Sequence, residues 1–200
     1  MPSAFGVSFI TMLVLLDPLG NMPTFLSLTD RQTHRARNTT ALIAVACAAA
    51  ILAFFAVLGE SLLAYLKITI EDVQVAGGIV LLIVALEMIS GRDGSGHTED
   101  GNVAVVPLAI PLLAGPGTIV ALLVLVDEYR PVAARGEIVA GTALALAAVY
   151  AAFRFASRVA HRLSPAVSGA LNRVVGLLVA AISVHFIASA IGEWFHNGVR

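Results

Sequence analysis

Six stretches of this sequence are apolar over the length needed to cross a lipid bilayer, and no other feature restricts its fold as much. They run approximately Phe5–Leu28, Thr39–Ala64, Asp72–Ser90, Val103–Val126, Glu137–Ser157 and Leu171–Phe195. Each is roughly 19–26 residues long, against the about 20 that a membrane-spanning helix requires. Hydrophobic residues fill 58% of the 200 positions and charged ones only 12%, about half the charge of a soluble domain. No soluble core of this size absorbs that much apolar sequence, so the surplus faces lipid.

The same balance excludes other classes. A net charge of -1 leaves no basic face for nucleic acid. The single cysteine, Cys47, cannot close a disulfide within the chain. Met1–Gly6 contains no Lys or Arg, and the apolar stretch that follows is too long for a signal-peptide core, so the first segment reads as a retained span.

Loop charge sets an expected orientation. Arg31, Arg35, Arg37, Arg92, Arg154, Arg158, Arg162 and Arg173 fall on one side, while Lys67, Arg130, Arg135 and Arg200 fall on the other. The richer side is expected in the cytoplasm, with both termini outside it.

The chain also repeats itself. Gln74–Val80 matches Arg173–Val179 at an offset of 99 residues, and Leu15–Asn21 matches Leu112–Thr118 at an offset of 97. Three spans per repeat is an odd number, so the second copy must enter the membrane from the opposite face, the inverted arrangement common in secondary transporters. The expected fold is an all-α polytopic membrane protein in one transmembrane domain over residues 1–200. Six transmembrane helices form two inverted three-helix repeats, residues 1–90 and 103–200, joined by a Gly-rich charged cytoplasmic linker at 91–102.

The matching segments are also where the first and fourth helices should be discontinuous. Span one carries Asp17-Pro18-Leu19-Gly20-Asn21-Met22-Pro23, and span four carries Pro107, Pro111 and Ala114-Gly115-Pro116-Gly117-Thr118. Proline removes a backbone donor and disfavours helix at the residue before it. Unwound backbone inside a bilayer is tolerated only where it lines a cavity or is buried in protein. Each restarted helix offers free amide donors to an anion. Asn21 is a candidate cap for the second half of span one, and Gly115 or Thr118 for that of span four.

Asp17 is the one acidic residue deep in a span. Asp at a helix centre costs about 2.5–3.5 kcal/mol, while each Leu, Ile, Phe or Val returns about 0.3–0.6. The twelve such residues of span one outweigh it, and the carboxylate faces the bundle interior. There it binds an ammonium, a proton or another cation, or it caps the freed amides of Leu19 or Gly20 in an Asx-turn; both can hold at once. His185, mid-span in the sixth segment, is either a proton-carrying or lining residue or a packing histidine. Glu60 and Glu87, near span ends, read as interfacial, and Trp194 as an interfacial anchor.

At these residues the chain resembles the MarC family of bacterial and archaeal inner-membrane proteins. The resemblance rests on Asp17–Pro23 followed by Phe25-Leu26-Ser27-Leu28-Thr29, and on Pro111–Ile119, and it extends over essentially the whole chain. It implies a multi-pass protein of the inner (plasma) membrane. A SnatA-like archaeal relative is described as a neutral amino-acid transporter, and the wider grouping looks similar to LysE-type exporters. The family name refers to multiple antibiotic resistance, which reflects genetic location more than drug export. Carried over, the resemblance points to Asp17, Gly20, Asn21, Gly115, Gly117 and Thr118 as substrate-binding, with Pro18, Pro23, Pro111 and Pro116 breaking the helices.

The leading expectation is a secondary transporter of a small polar solute such as glycine or alanine. The substrate carboxylate sits at a half-helix N-terminus near Asn21 or Thr118, and Asp17 holds the ammonium or the coupling proton. Asp17 and His185 are the candidates for proton or sodium coupling; no cofactor and no metal are expected. A small-solute or ion channel, and an exporter of drugs or metabolites, are alternatives. Enzymatic function is not expected, since a second deep Asp or a paired His is missing, and no GxxxxGK[ST] loop supports an ATP-driven pump. The expected partners are the lipid bilayer and a small-molecule substrate, with a homo-oligomer open.

Overall fold

The computed structural model describes residues 3–29, 32–91, 113–129, 131–160 and 165–197. All regular structure among them is helical: α1 (Ala4–Leu16), α2 (Asn21–Leu28), α3 (His34–Leu66), α4 (Ile70–Ser90), α5 (Pro116–Glu128), α6 (Val132–Ala160) and α7 (Pro165–Asn197). Four of these, α3, α4, α6 and α7, are long and apolar enough to cross a membrane. With exposed Val57, Leu177 and Ile83 on their outer faces, they make the chain an all-α polytopic membrane protein.

The expected first span is two helices. At 1.5 Å per residue neither 13-residue α1 nor 8-residue α2 reaches across about 30 Å of hydrocarbon. The expected fourth span is described only from Leu113 onward, and 13-residue α5 is its second part. Pro107, Pro111 and linker residues 92–102 lie outside the described residues.

Helix ends follow local chemistry more than bilayer limits. α3 begins at His34, ahead of the expected Thr39, because Thr33 accepts from the Ala36 amide at 3.3 Å and starts the helix in the polar link. α4 opens with a reciprocal capping box: Asp72 donates its amide to Thr69 Oγ1 at 3.3 Å, and Thr69 donates its amide to Asp72 Oδ2 at 2.9 Å. Lys67 closes α3 in the left-handed region at φ 57°.

Small residues set the helix contacts. Gly78 on α4 leaves space for Ile187 and Ser183 of α7, while Gly176 on α7 leaves space for Met88 and Ala85 of α4. The pairing of early with late residues makes the two helices antiparallel. α6 runs alongside α1 in the same direction: Glu137 accepts the Phe5 amide at 3.1 Å, Gly141 receives the Phe5–Phe9 backbone, and Phe153 stacks on Phe25 of α2 with centroids 4.3 Å apart. One continuous apolar core, from Met12 and Leu16 through Ala44, Leu81 and Leu122 to Phe186, holds the bundle together.

Candidate functional site

The first break is built around Asp17. Its backbone ends α1 in the left-handed region, at φ 37° and ψ 69°, a conformation that Asp tolerates better than most residues. Pro18 and Leu19 then turn the chain, and Gly20 stands at the N-cap of α2. The Asp17 carboxylate accepts the Gly20 amide through Oδ1 at 3.0 Å. This is the capping role weighed above, and it occupies one carboxylate oxygen. Asp17 is 8% exposed and has no cationic partner among the described residues.

Asn21 corrects one expectation. It does not cap α2; it is that helix's first residue, and its side chain reaches backwards, Nδ2 donating to the Leu16 carbonyl at 2.8 Å. Leu16 ends α1, where carbonyls lack helical partners, so Asn21 ties the second half-helix to the end of the first. The donors at the start of α2 are otherwise spent. The Asn21 amide bonds Asp17 O at 3.0 Å, the Met22 amide bonds Leu19 O at 3.3 Å, and Pro23 has none to give. Pro23 sits harmlessly in the first turn.

The second break repeats the tie with different chemistry. Gly115 is the N-cap of α5, in extended conformation, and Pro116 follows at the first helical position. Thr118 Oγ1 lies 3.0 Å from both the Leu113 and the Gly115 carbonyls. Its hydroxyl thereby crosses the break as Asn21 does, over the same five-residue interval. Leu113, Ala114, Gly117 and Thr118 are all buried. Unlike those of α2, the Gly117 and Thr118 amides have no acceptor among the described residues. Among the described residues the two helix starts therefore differ: that of α2 is saturated and beside a carboxylate, while that of α5 has two amides without an acceptor.

The helices facing the breaks differ too. A side chain at Gly117 would strike Leu81 of α4, whose Cγ lies 2.7 Å from the Cβ position, and Gly77 of α4 in turn admits Val120. An open groove of about 470 Å³ beside this contact is lined by Gly77, Val80, Pro116 and Val120 among others. A Cβ at Gly20 would instead meet the Asp17 carboxylate and, at 2.8 Å, Asn172 Oδ1 of α7. Asn172 had no place in the sequence reading: it sits at the start of an apolar segment beside Arg173, where an interfacial polar residue is ordinary.

His185 is exposed on α7 and joins neither break. Glu87 is exposed on α4. Glu60 forms an exposed ion pair with Arg135 at 3.6 Å, as an interfacial residue would. That pair borders a second cleft of about 280 Å³ between α3, α5 and α6. Among the described residues no group of three His, Cys, Asp or Glu could hold a metal ion.

A model of the MarC family integral membrane proteins matches residues 3–195. Similar proteins include a UPF0056 membrane protein of Methanocaldococcus jannaschii, 32% identical over 94% of this chain and 95% of that protein. The UPF0056 membrane protein YhcE of Escherichia coli is 33% identical over 92% and 89%. The UPF0056 inner membrane protein YhgN of the same organism is 30% identical over 92% and 94%. No solved structure matches the chain.

Proposed function

Because the chain belongs to the MarC family of integral membrane proteins, we propose that it is a secondary transporter of a small zwitterion, a neutral amino acid such as glycine or alanine, working by alternating access around the two helix breaks. The observation that carries this reading is the paired tie, Asn21 to Leu16 O and Thr118 to Leu113 O, at matching positions of two broken helices. Broken helices whose ends face each other's repeat are the usual substrate cradle of inverted-repeat carriers.

The chemical difference between the breaks supports a zwitterionic substrate. The Gly117 and Thr118 amides, at a helix start with its partial positive charge, suit a carboxylate. The free oxygen of Asp17 suits an ammonium or a coupling cation. The sequence reading offered Asn21 or Thr118 for the carboxylate; the spent amides of α2 favour Thr118 alone.

One relationship supports the six-span inverted repeat, and a second supports two unequal access paths within it. The first is the exchange between α4 and α7: Gly176 meets Ala85 and Met88, while Gly78 meets Ser183 and Ile187. Shifted by the 99-residue offset, Ala85 and Met88 fall on Val184 and Ile187, and Gly176 falls on Gly77, one residue from Gly78. The other is an inequality. Asn172, which faces Gly20, matches Val73 at that offset, yet Gly117 faces Leu81, eight positions further along. That is about 12 Å of helix, the kind of mismatch a carrier holds when one access path is open and the other shut. The inner membrane is the proposed location, as the name of YhgN states for that protein, with both termini outside the cytoplasm.

Uptake of labelled glycine and alanine into proteoliposomes tests the reading. The expected result is saturable uptake by the wild type and none by Asp17→Asn; undiminished uptake in that variant removes Asp17 from the site.

A further inference from the structure

We infer that Asn172 on α7 is the second arm of a cation subsite whose first arm is the free oxygen of Asp17, and that this subsite takes the primary ammonium group of the substrate. The inference rests on the transporter reading above and adds a residue, and a substrate feature, to it.

The geometry converges on the missing side chain of Gly20. The Cβ position there is bounded by Asp17, whose Cγ lies 2.7 Å away and whose Oδ2 lies closer, and by Asn172 Oδ1 at 2.8 Å. Two side-chain oxygens from different parts of the chain thus approach one point, where a larger residue at position 20 would carry its Cβ. Asp17 Oδ1 is committed to the Gly20 amide. Oδ2 has no hydrogen-bond partner among the described residues, and neither has the amide group of Asn172. Asp17 is 8% exposed and Asn172 is partly buried.

A carboxyl held this deep is either protonated or paired with a positive group, and the described part of the protein supplies no cation to it. A coupling proton would need Oδ2 alone. A primary ammonium carries three donors and needs several acceptors arranged around it, which Oδ2 and the Asn172 amide oxygen begin to provide. The opposite possibility is that the Asn172 amide turns over and donates to Asp17 as a purely structural latch. Substitution separates the two, because Asn172→Asp keeps the acceptor and removes the N–H donor.

The test measures proteoliposome transport of labelled glycine, with N-methylglycine and N,N-dimethylglycine as competitors, for wild type, Asn172→Ala and Asn172→Asp. Each protein is first checked for a monodisperse elution profile in detergent. A cation subsite predicts that Asn172→Ala raises KM for glycine at least tenfold with kcat within about threefold. It also predicts that Asn172→Asp holds KM at or below the wild-type value, and that the wild-type preference for glycine over the dimethylated competitor shrinks at least threefold in Asn172→Ala. A KM in Asn172→Ala equal to wild type overturns the inference while leaving the transporter reading intact, and so does an Asn172→Asp protein as impaired as Asn172→Ala. A wild-type protein that takes up neither glycine nor alanine overturns both.

Discussion

Asn21 and Thr118 perform the same task at the two helix breaks: each sends its side chain back five residues to the carbonyl of a leucine, Leu16 at 2.8 Å and Leu113 at 3.0 Å. An amide and a hydroxyl share little beyond the ability to donate. What the positions require is therefore a donor that reaches across an unwound turn and satisfies a carbonyl facing no water. In the proposed six-span arrangement the tie would let the chain stay broken inside the membrane without exposing that group to lipid.

Removing the donor while keeping the shape isolates this effect. Thr118→Val leaves the buried Leu113 carbonyl without its tie, a loss of about 1–3 kcal/mol, whereas Thr118→Ser retains it. Denaturant titration in detergent should show Thr118→Val less stable by that amount and Thr118→Ser within about 1 kcal/mol of wild type, the residual being its missing methyl.

Asp17 has two roles that substitution separates. Asparagine tolerates the left-handed backbone at φ 37° and still accepts the Gly20 amide, so Asp17→Asn should stay within about 1 kcal/mol of wild-type stability while losing transport. Asp17→Ala loses the acceptor as well and is expected to fall about 1–2 kcal/mol lower. Unfolding curves on the two variants, alongside uptake, check the separation; equal stability of both would contradict the capping role.

The contact between α1 and α6 depends on one glycine. A Cβ at Gly141 meets the Phe5 carbonyl at 2.8 Å and the Phe9 amide at 2.9 Å, backbone atoms that cannot turn aside. Gly141→Ala should cost about 1–3 kcal/mol or more. Gly192→Ala on α7, where the added carbon meets nothing within 4 Å, should be neutral or slightly stabilising. Thermal midpoints of the two variants in the same detergent decide the point.

Alternating access requires α5 to shift along α4. Pro116 and Val80 line one groove in this structure. The proposed exchange would bring Gly117 to Val73 and Gly20 to Ala180. Bridging Pro116→Cys and Val80→Cys with a short thiol cross-linker, in a Cys47→Ala background, should abolish transport until the bridge is cleaved. Full-rate transport by the bridged protein would contradict the movement.

Four long helices were legible from apolar length alone, because no other use of such segments satisfies their backbone. The first break was legible as well, since Pro18 and Gly20 declare it. What Asn21 does there was not. A cap on α2 and a tie to α1 call for the same residue, and only the direction of the Leu16 carbonyl separates them. Asn172 was hidden for a different reason: its meaning comes from Gly20, 152 positions away in sequence, and pairwise proximity of that kind leaves no local pattern. The start of α3 at His34, ahead of the apolar segment Thr39–Ala64, is not legible in hydropathy, which marks the bilayer, whereas hydrogen bonding and the Thr33 cap mark the helix.

The central claim is that the breaks form a carrier site, occupied by substrate on one side at a time. Counterflow tests it most directly. Proteoliposomes loaded with unlabelled glycine, diluted into a trace of labelled glycine with no ion gradient, should accumulate label transiently above equilibrium through the wild type and not through Asp17→Asn. Simple equilibration without overshoot would mark a channel, and the alternating-access account would be wrong.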